Sequence, residues 1–407
     1  MFSAATTAQL SRWWSQPYGL PAGQATTSNS INYSYLANSQ SSVSYVGPDS
    51  SNRPVFFFAY ANTSNLLRAQ MWRIENDGTI TVGAEQNTSG TESVSRTIQT
   101  MSEYEGASSF GGGSGSYVYL GYNNNAATAA YGQVASINQD ALTCTFGTRV
   151  TLQTYLGTVG TNQTMAAYVG SSSAVFGNPH AANTSPSIRR YTRSGTTLTA
   201  AGTWQNFITG GIDNAQLGFQ PSGSQYRSAN YTTDTDGAGV AYGAVTLDTV
   251  NNSSGVFYLA NPTVNVGCNL NNTDKYLGGS YTSPNLDLTA ISVTWGDLVT
   301  APTFSVGSAV TLTDISGSGA AWSPVSGFTS DTAYIVYNSS ASTIDYRPVT
   351  TSGTTVSLGS KTTMIGGLSN FNSQLSATSA TISTKTYLSG VQVRTSGAPY
   401  IFGYRLS

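Results

Sequence analysis

Charge is what this sequence has least of. Asp, Glu, Lys and Arg make up 8% of the 407 residues, 16 basic and 18 acidic, for a net charge of −2, where an ordinary soluble domain carries roughly a quarter. No run of like charge occurs, so neither a phosphate-tracking surface nor an anionic membrane surface is an expected partner. Glutamate occurs five times, always between Glu75 and Glu105, and the 302 residues that follow have none. Helix surfaces normally carry Glu, Lys, Gln and Arg. Here Ser, Thr, Asn and Gly take their place, which argues against a helical fold. The two cysteines, Cys144 and Cys268, lie 124 residues apart, too few for a disulfide framework and without the paired spacing of a zinc site; both are expected as small buried side chains. No apolar run reaches the roughly 18 residues of a membrane-spanning helix. The N-terminal MFSAATTAQLSRWWSQ lacks the basic-then-apolar layout of a secretory signal, so the chain is expected to stay where it is made until lysis or assembly.

What is present points to strands. Hydrophobic residues reach 39%, with 25 Tyr and 14 Phe, more than a disordered chain carries. Short apolar or aromatic runs begin near Val55 (VFFFAY), Tyr117 (YVYLGY), Ala174 (AVFGN), Tyr226 (YRSANY), Tyr276 (YLGGSY), Tyr334 (YIVYN) and Tyr387 (YLSGV), at steps of 50 to 62 residues. Behind most of them comes an alternating strand such as AQMWRIEN or STIDYRPV, then a Thr-rich strand ending in glycine. Those glycines, Gly83, Gly147, Gly202, Gly307 and Gly359, follow their anchors by 28, 30, 28, 31 and 25 residues. The fourth unit, with AGVAYGAV and GVFYLANPTVNV, has no such ending.

A unit of three or four short strands repeated every 55 residues or so predicts an all-β fold, a single β-propeller of seven blades. Only 20 residues follow Tyr387, too few for a whole blade, while SINYSYLANS near residues 30 to 39 stands where other units carry their Thr-rich strand. Pairing the N- and C-terminal strands in one blade would therefore close the ring and remove its open edges. Tandem β-sandwich domains are the alternative. Residues 1–25, with Trp13, Trp14 and Tyr18, fall outside the repeat and read as an arm that attaches to a partner; residues 26–407 form the propeller.

Few residues offer chemistry. The single histidine, His180 in GNPHAANTSP, sits among turn residues and is expected as an exposed loop side chain; no GxSxG or HExxH motif accompanies it. Glu103 and Glu105 in SEYEG have strand spacing that points both to one face. They could suit a polysaccharide-degrading enzyme, but without a third carboxylate they are expected as an exposed pair in a loop between blades. The DTDGAG run at residues 234–239 lacks the ligand spacing of a calcium loop and reads as a β-turn. No catalytic residue, metal site or cofactor is assigned. Sugar binding needs aromatic faces beside neutral donors and acceptors. Trp72, Trp204, Trp295 and Trp322 are the available platforms; Trp72 and Trp295 fall in interior strands, leaving Trp204 and Trp322 as candidate ligand contacts.

The sequence of anchor strand, middle strand and GTTVSLG or TFSVG followed by SKTTM or SAVTL resembles repeats of virion proteins of tailed bacteriophages, such as tail fibres and head or tail appendages. The resemblance covers roughly residues 30–407. It implies a virion structural protein, present in several copies, joined to other virion proteins through the arm and turned toward a host surface glycan or receptor. A lectin-like propeller, with one sugar site per gap between blades, is the alternative reading; it requires equivalent aromatic and polar residues at matching offsets in all units, and the divergence of the units counts against it.

Overall fold

The computed structural model describes residues 20–28, 41–62, 64–88, 94–104, 116–124, 128–154, 165–170, 172–178, 187–206, 214–215, 220–222, 225–233, 240–248, 254–260, 266–272, 275–282, 284–294, 303–315, 321–368, 371–394 and 399–407. The chain is all-β. Among the described residues the strands form seven separate antiparallel sheets, six of which are met whole along the sequence.

Sheet one comprises Ser42–Pro48, Pro54–Ala61, Leu67–Ile74 and Ile80–Val82; sheet two Val94–Ser102, Tyr117–Asn124, Ala129–Asn138 and Thr143–Phe146; sheet three Met165–Gly170, Ser173–Asn178, Ser187–Ser194 and Thr197–Asn206. In sheet four, Asn214–Ala215 and Gln220–Ser222 both pair with Gln225–Thr233, followed by Val240–Asp248 and Ser254–Ala260. Sheet five comprises Val266–Asn272, Lys275–Thr282, Asn285–Thr294 and Thr303–Val306, and sheet six Trp322–Ser326, Thr332–Ser340, Thr343–Ser352 and Thr355–Leu358. Sheet seven takes Phe371–Ile382, Lys385–Arg394 and Tyr400–Arg405 from the C-terminus and its outer strand, Ala25–Ser28, from the N-terminus, with Ala25 opposite Tyr404 and Ser28 opposite Ile401. Residues 30–39, where the sequence placed the joining strand, lie outside the described residues. Leu20 to Gln24, assigned to the arm, are held against the body: Leu20 is buried, its carbonyl accepts from the Arg405 guanidinium at 2.9 Å, and the Gly23 amide donates to the Arg405 carbonyl at 2.8 Å.

All seven apolar anchors fall in second strands, and the glycine-ended Thr-rich segments belong to fourth strands. At four of those glycines the outer strand breaks and then resumes. Gly83, Gly147, Gly307 and Gly359 each donate their amide to the third strand, at the carbonyls of Met71, Val134, Ala290 and Pro348. Three residues after each glycine pairing restarts, at Gln86–Asn87, Val150–Thr154, Val310–Leu312 and Thr362–Ile365. The break leaves a glycine carbonyl outside the ladder, and a buried acceptor needs a donor. Gln70, Gln133 and Arg347, from the third strand opposite, supply it at 2.9, 2.7 and 3.0 Å. Glycine is required at three of these breaks because the third-to-fourth turn of the following sheet lies against it. A Cβ on Gly83, Gly147 or Gly307 would collide with the carbonyl oxygen of Leu142, Thr196 or Thr354.

The first strands lie side by side. That of sheet one touches those of sheets seven and two, sheet two touches three, three touches four, and sheet six touches five and seven. Serine and threonine hydroxyls stitch them together: Thr100 to Ser42 at 2.8 Å, Ser44 to Thr100 at 2.9 Å, the Val43 amide to Ser376 at 3.0 Å, Ser379 to the Ser326 carbonyl at 3.0 Å. Hydroxyls make these contacts with no charge to desolvate. The apolar core is divided among the gaps between sheets. Phe56, Phe58, Tyr60 and Trp72 of sheet one pack toward sheet seven, with the Trp72 indole donating to Ser389 at 3.1 Å, while Phe57, Ala59 and Met71 pack toward sheet two. Cys144 is buried and Cys268 half-buried, both as free thiols, and burial pushes the Cys144 thiol up to about 12.

Candidate functional site

Each sheet has two edges. One carries the turns between strands one and two and between strands three and four. The other carries the connections from one sheet to the next, together with the turns between strands two and three. The polar side chains at the two edges are arranged differently.

At the turn edge they satisfy one another. Asp49 accepts from the backbone of Ser51 and Arg53 and from the Arg53 guanidinium at 2.7 Å; Glu75 is held by Arg53 and Arg73, each at 2.6 Å. Burial opposes ionisation of Glu75, but hydrogen bonds from Thr81 and Arg73 outweigh it and hold the carboxyl below the usual range. Asp140 of sheet two accepts from the Ser50 amide and hydroxyl, at 2.9 and 2.7 Å, which ties the neighbouring sheets together. Glu103 is not the exposed loop residue that its sequence suggested. It is buried at 3% exposure, and Arg193 of sheet three reaches it at 2.6 Å while the Tyr119 hydroxyl donates at 3.0 Å. The Arg193 guanidinium also lies 3.6 Å from the Tyr117 ring centre. This is a clamp between sheets two and three, a contact across 90 residues that no local pattern announces. Its proposed companion Glu105 lies outside the described residues, as do Trp13, Trp14, Tyr18, His180, Trp295 and residues 234–239.

At the connector edge, sheets one, two and six carry a tyrosine of the second strand in the row that the resumed outer strand completes. Tyr60 stands opposite Arg68, Tyr122 opposite Tyr131, and Tyr337 opposite Asp345. The resumed outer strand completes each row with Asn87, Thr151 and Thr363. Each tyrosine packs toward the preceding sheet. Their hydroxyls donate to Glu85 at 2.5 Å, Gln133 at 3.1 Å and Asp314 at 3.0 Å.

The gap between sheets five and six holds the fullest set. Asp314, in the connection between them, receives Arg347 at 3.2 Å, Lys361 at 3.4 Å and the Tyr337 hydroxyl. Burial works against its ionisation, yet Arg347 and Tyr337 prevail and hold the carboxyl below the usual range. Asp345 is fully buried on the third strand. Its strand neighbours Ile344 and Tyr346 belong to the core shared with sheet seven, so by alternation Asp345 faces sheet five with Arg347. Its Oδ1, like the Oδ1 of Asp314, has no hydrogen-bond partner among the described residues. Trp322 is the cross-strand partner of Tyr337, and its ring lies over Gly279 of sheet five. One sequence candidate thus lies in this row. The other, Trp204, precedes the resumption of the outer strand of sheet three at Gln205 and is half-buried against Tyr119, Phe176 and Tyr191. Among the described residues no group of three His, Cys, Asp or Glu side chains could hold a metal ion.

No family model and no curated protein matches the chain. Comparison with solved structures finds distant likenesses. A core factor structure from S. cerevisiae is similar with a TM-score of 0.50 at 10% identity, over 90% of this chain and 57% of that one. A mutant of AofleA from Arthrobotrys oligospora gives 0.48 at 10%, over 94% and 87%. The lectin of Aleuria aurantia, described as a six-bladed β-propeller with a fucose recognition mode, gives 0.42 at 14%, over 82% and 98%. At such identities these likenesses concern chain path and carry no chemistry.

Proposed function

We propose that the seven sheets are the blades of one closed seven-bladed β-propeller, and that this propeller recognises neutral glycans, without turnover, in the gap between sheets five and six. One observation carries the reading: two carboxylate oxygens in that gap, on Asp314 and Asp345, lack donors. Buried acceptors of this kind call for a donor. Sugar hydroxyls are donors to carboxylates and acceptors from Arg347 and Lys361, and the Trp322 ring offers an apolar face for ring C–H groups. The paired charges cancel, which suits an uncharged ligand. The setting we propose is a virion appendage, as the resemblance of the repeat implies, with glycan contact serving host-surface adhesion.

The test is a glycan array probed with the purified full chain, followed by titration of the best neutral oligosaccharide into wild type and Asp314→Asn. Arg347 is avoided because it also caps Gly359. The expected result is retention of neutral glycans and at least about a tenfold weaker affinity for the variant, the equivalent of about 1.4 kcal/mol. An array that retains nothing, or a variant that binds as wild type does, overturns the reading.

A further inference from the structure

The gap between sheets seven and one repeats the arrangement just described with different residues. Tyr60 occupies the place of Tyr337, Arg68 that of Asp345, and Gln70 that of Arg347, because Gln70 and Arg347 each cap the carbonyl of the glycine at the outer-strand break. Leu67, Ala69 and Met71 pack toward sheet two while Trp72 reaches Ser389 of sheet seven. Arg68 and Gln70, alternating with them, face sheet seven.

Two buried atoms here have no hydrogen-bond partner among the described residues, the Nε of Arg68 and the Oε1 of Gln70. Glu85 stands 3.3 Å from that Nε in an ion pair without hydrogen-bond geometry, and its other oxygen is taken by Tyr60. Gln70 is only 3% exposed. One group lacks an acceptor and the other lacks a donor. Orphaned buried groups are uncommon in folded chains and each calls for an explanation. Residues two apart on a strand point to the same side, so both orphaned groups face one gap. A hydroxyl accepts and donates, as the two orphans together require.

The gap between sheets one and two is the internal control. There Tyr122 donates to Gln133, whose amide nitrogen caps Gly147, so the same three positions are closed on themselves. Arg149 lies over the Tyr131 ring at 4.5 Å, a cation–π contact on the same row.

We infer that the gap between sheets seven and one is a second glycan site, entered at the partly exposed Arg68 and Glu85 and backed by Gln70, whereas the equivalent gap between sheets one and two is closed by its own hydrogen bonds. The inference rests on the glycan reading proposed above, and its test separates the two. Methyl glycosides of galactose, mannose, fucose and N-acetylglucosamine are titrated into the full chain by calorimetry, and the best binder is repeated with Asp314→Asn, Glu85→Gln and Tyr122→Phe. Two binding equivalents are expected, of which Asp314→Asn and Glu85→Gln each weaken one by at least about tenfold, while Tyr122→Phe retains both. A single equivalent that Glu85→Gln leaves unchanged overturns the second site and leaves the first standing. Binding by none of the four overturns both. Thermal unfolding of each variant accompanies the titrations, and a Glu85→Gln protein that is folded and still binds two equivalents also refutes the inference.

Discussion

The two edges of the sheets use the same side chains to opposite ends. At the turn edge, Asp49, Glu75 and Glu103 meet Arg53, Arg73 and Arg193 with each carboxylate oxygen described above engaged or shared, and the Glu103–Arg193 pair ties sheets two and three. At the connector edge, Asp345 and Gln70 are buried and Asp314 and Arg68 partly so, but one buried atom of each lacks a hydrogen-bond partner among the described residues. A buried polar group that is satisfied rigidifies its surroundings; one left open is held at a cost to the fold. In a sequence so poor in charge, these open groups are what the proposed recognition at the connector edge rests on.

Breaking the turn edge should have the largest effect. Arg193→Ala leaves Glu103 buried without its cation, and Glu103→Ala does the reverse. Each is expected to cost about 3–5 kcal/mol, read as a fall in the denaturant midpoint. The double variant should recover part of that loss, since no lone charge remains. A cost below about 1 kcal/mol would place the pair with ordinary surface ion pairs and dissolve the contrast.

Acid should act more gently and at both edges. The carboxyls of Glu75 and Asp314 are held below their usual range, against the opposing effect of burial, by hydrogen bonds from Thr81 and Arg73 and from Arg347 and Tyr337. A depressed folded-state pKa means that the unfolded chain takes up protons first as pH falls. The stability from these groups is therefore complete above the unfolded carboxylate range and is lost as pH drops through the folded values. Unfolding midpoints measured across the acid range should decline over that interval, and Asp314→Asn should flatten the decline slightly. An unchanged slope would mean that Asp314 is not held as described.

Much of the fold could be read from the sequence, because strand period and turn chemistry are local. The seven anchors mark the second strands, and the glycines after the Thr-rich segments mark where the outer strands break. The sites were less legible. Tyr60, Tyr122 and Tyr337 are equivalent in register, yet they lie five, five and three residues after their anchors, and hairpins of unequal length separate them from the terminal glycines. Counting back from each glycine through the third strand could have found Arg68, Tyr131 and Asp345. The burial of Glu103 could not have been found that way, since its partner lies in the next sheet. Trp322 was singled out for its ring alone, and the row containing Tyr337 and Asp345 is what gives that ring polar neighbours.

The most direct measurement compares Asp345→Val with Arg193→Ala in denaturant unfolding, each with and without the best-binding glycan. Valine suits a strand and removes a buried carboxylate oxygen that has no partner, so the account predicts a midpoint above wild type, by about 1–3 kcal/mol, with binding in that gap lost. Arg193→Ala should lie well below wild type with glycan affinity retained. If Asp345→Val falls as far as Arg193→Ala, the connector edge is as structural as the turn edge and the distinction between them is wrong.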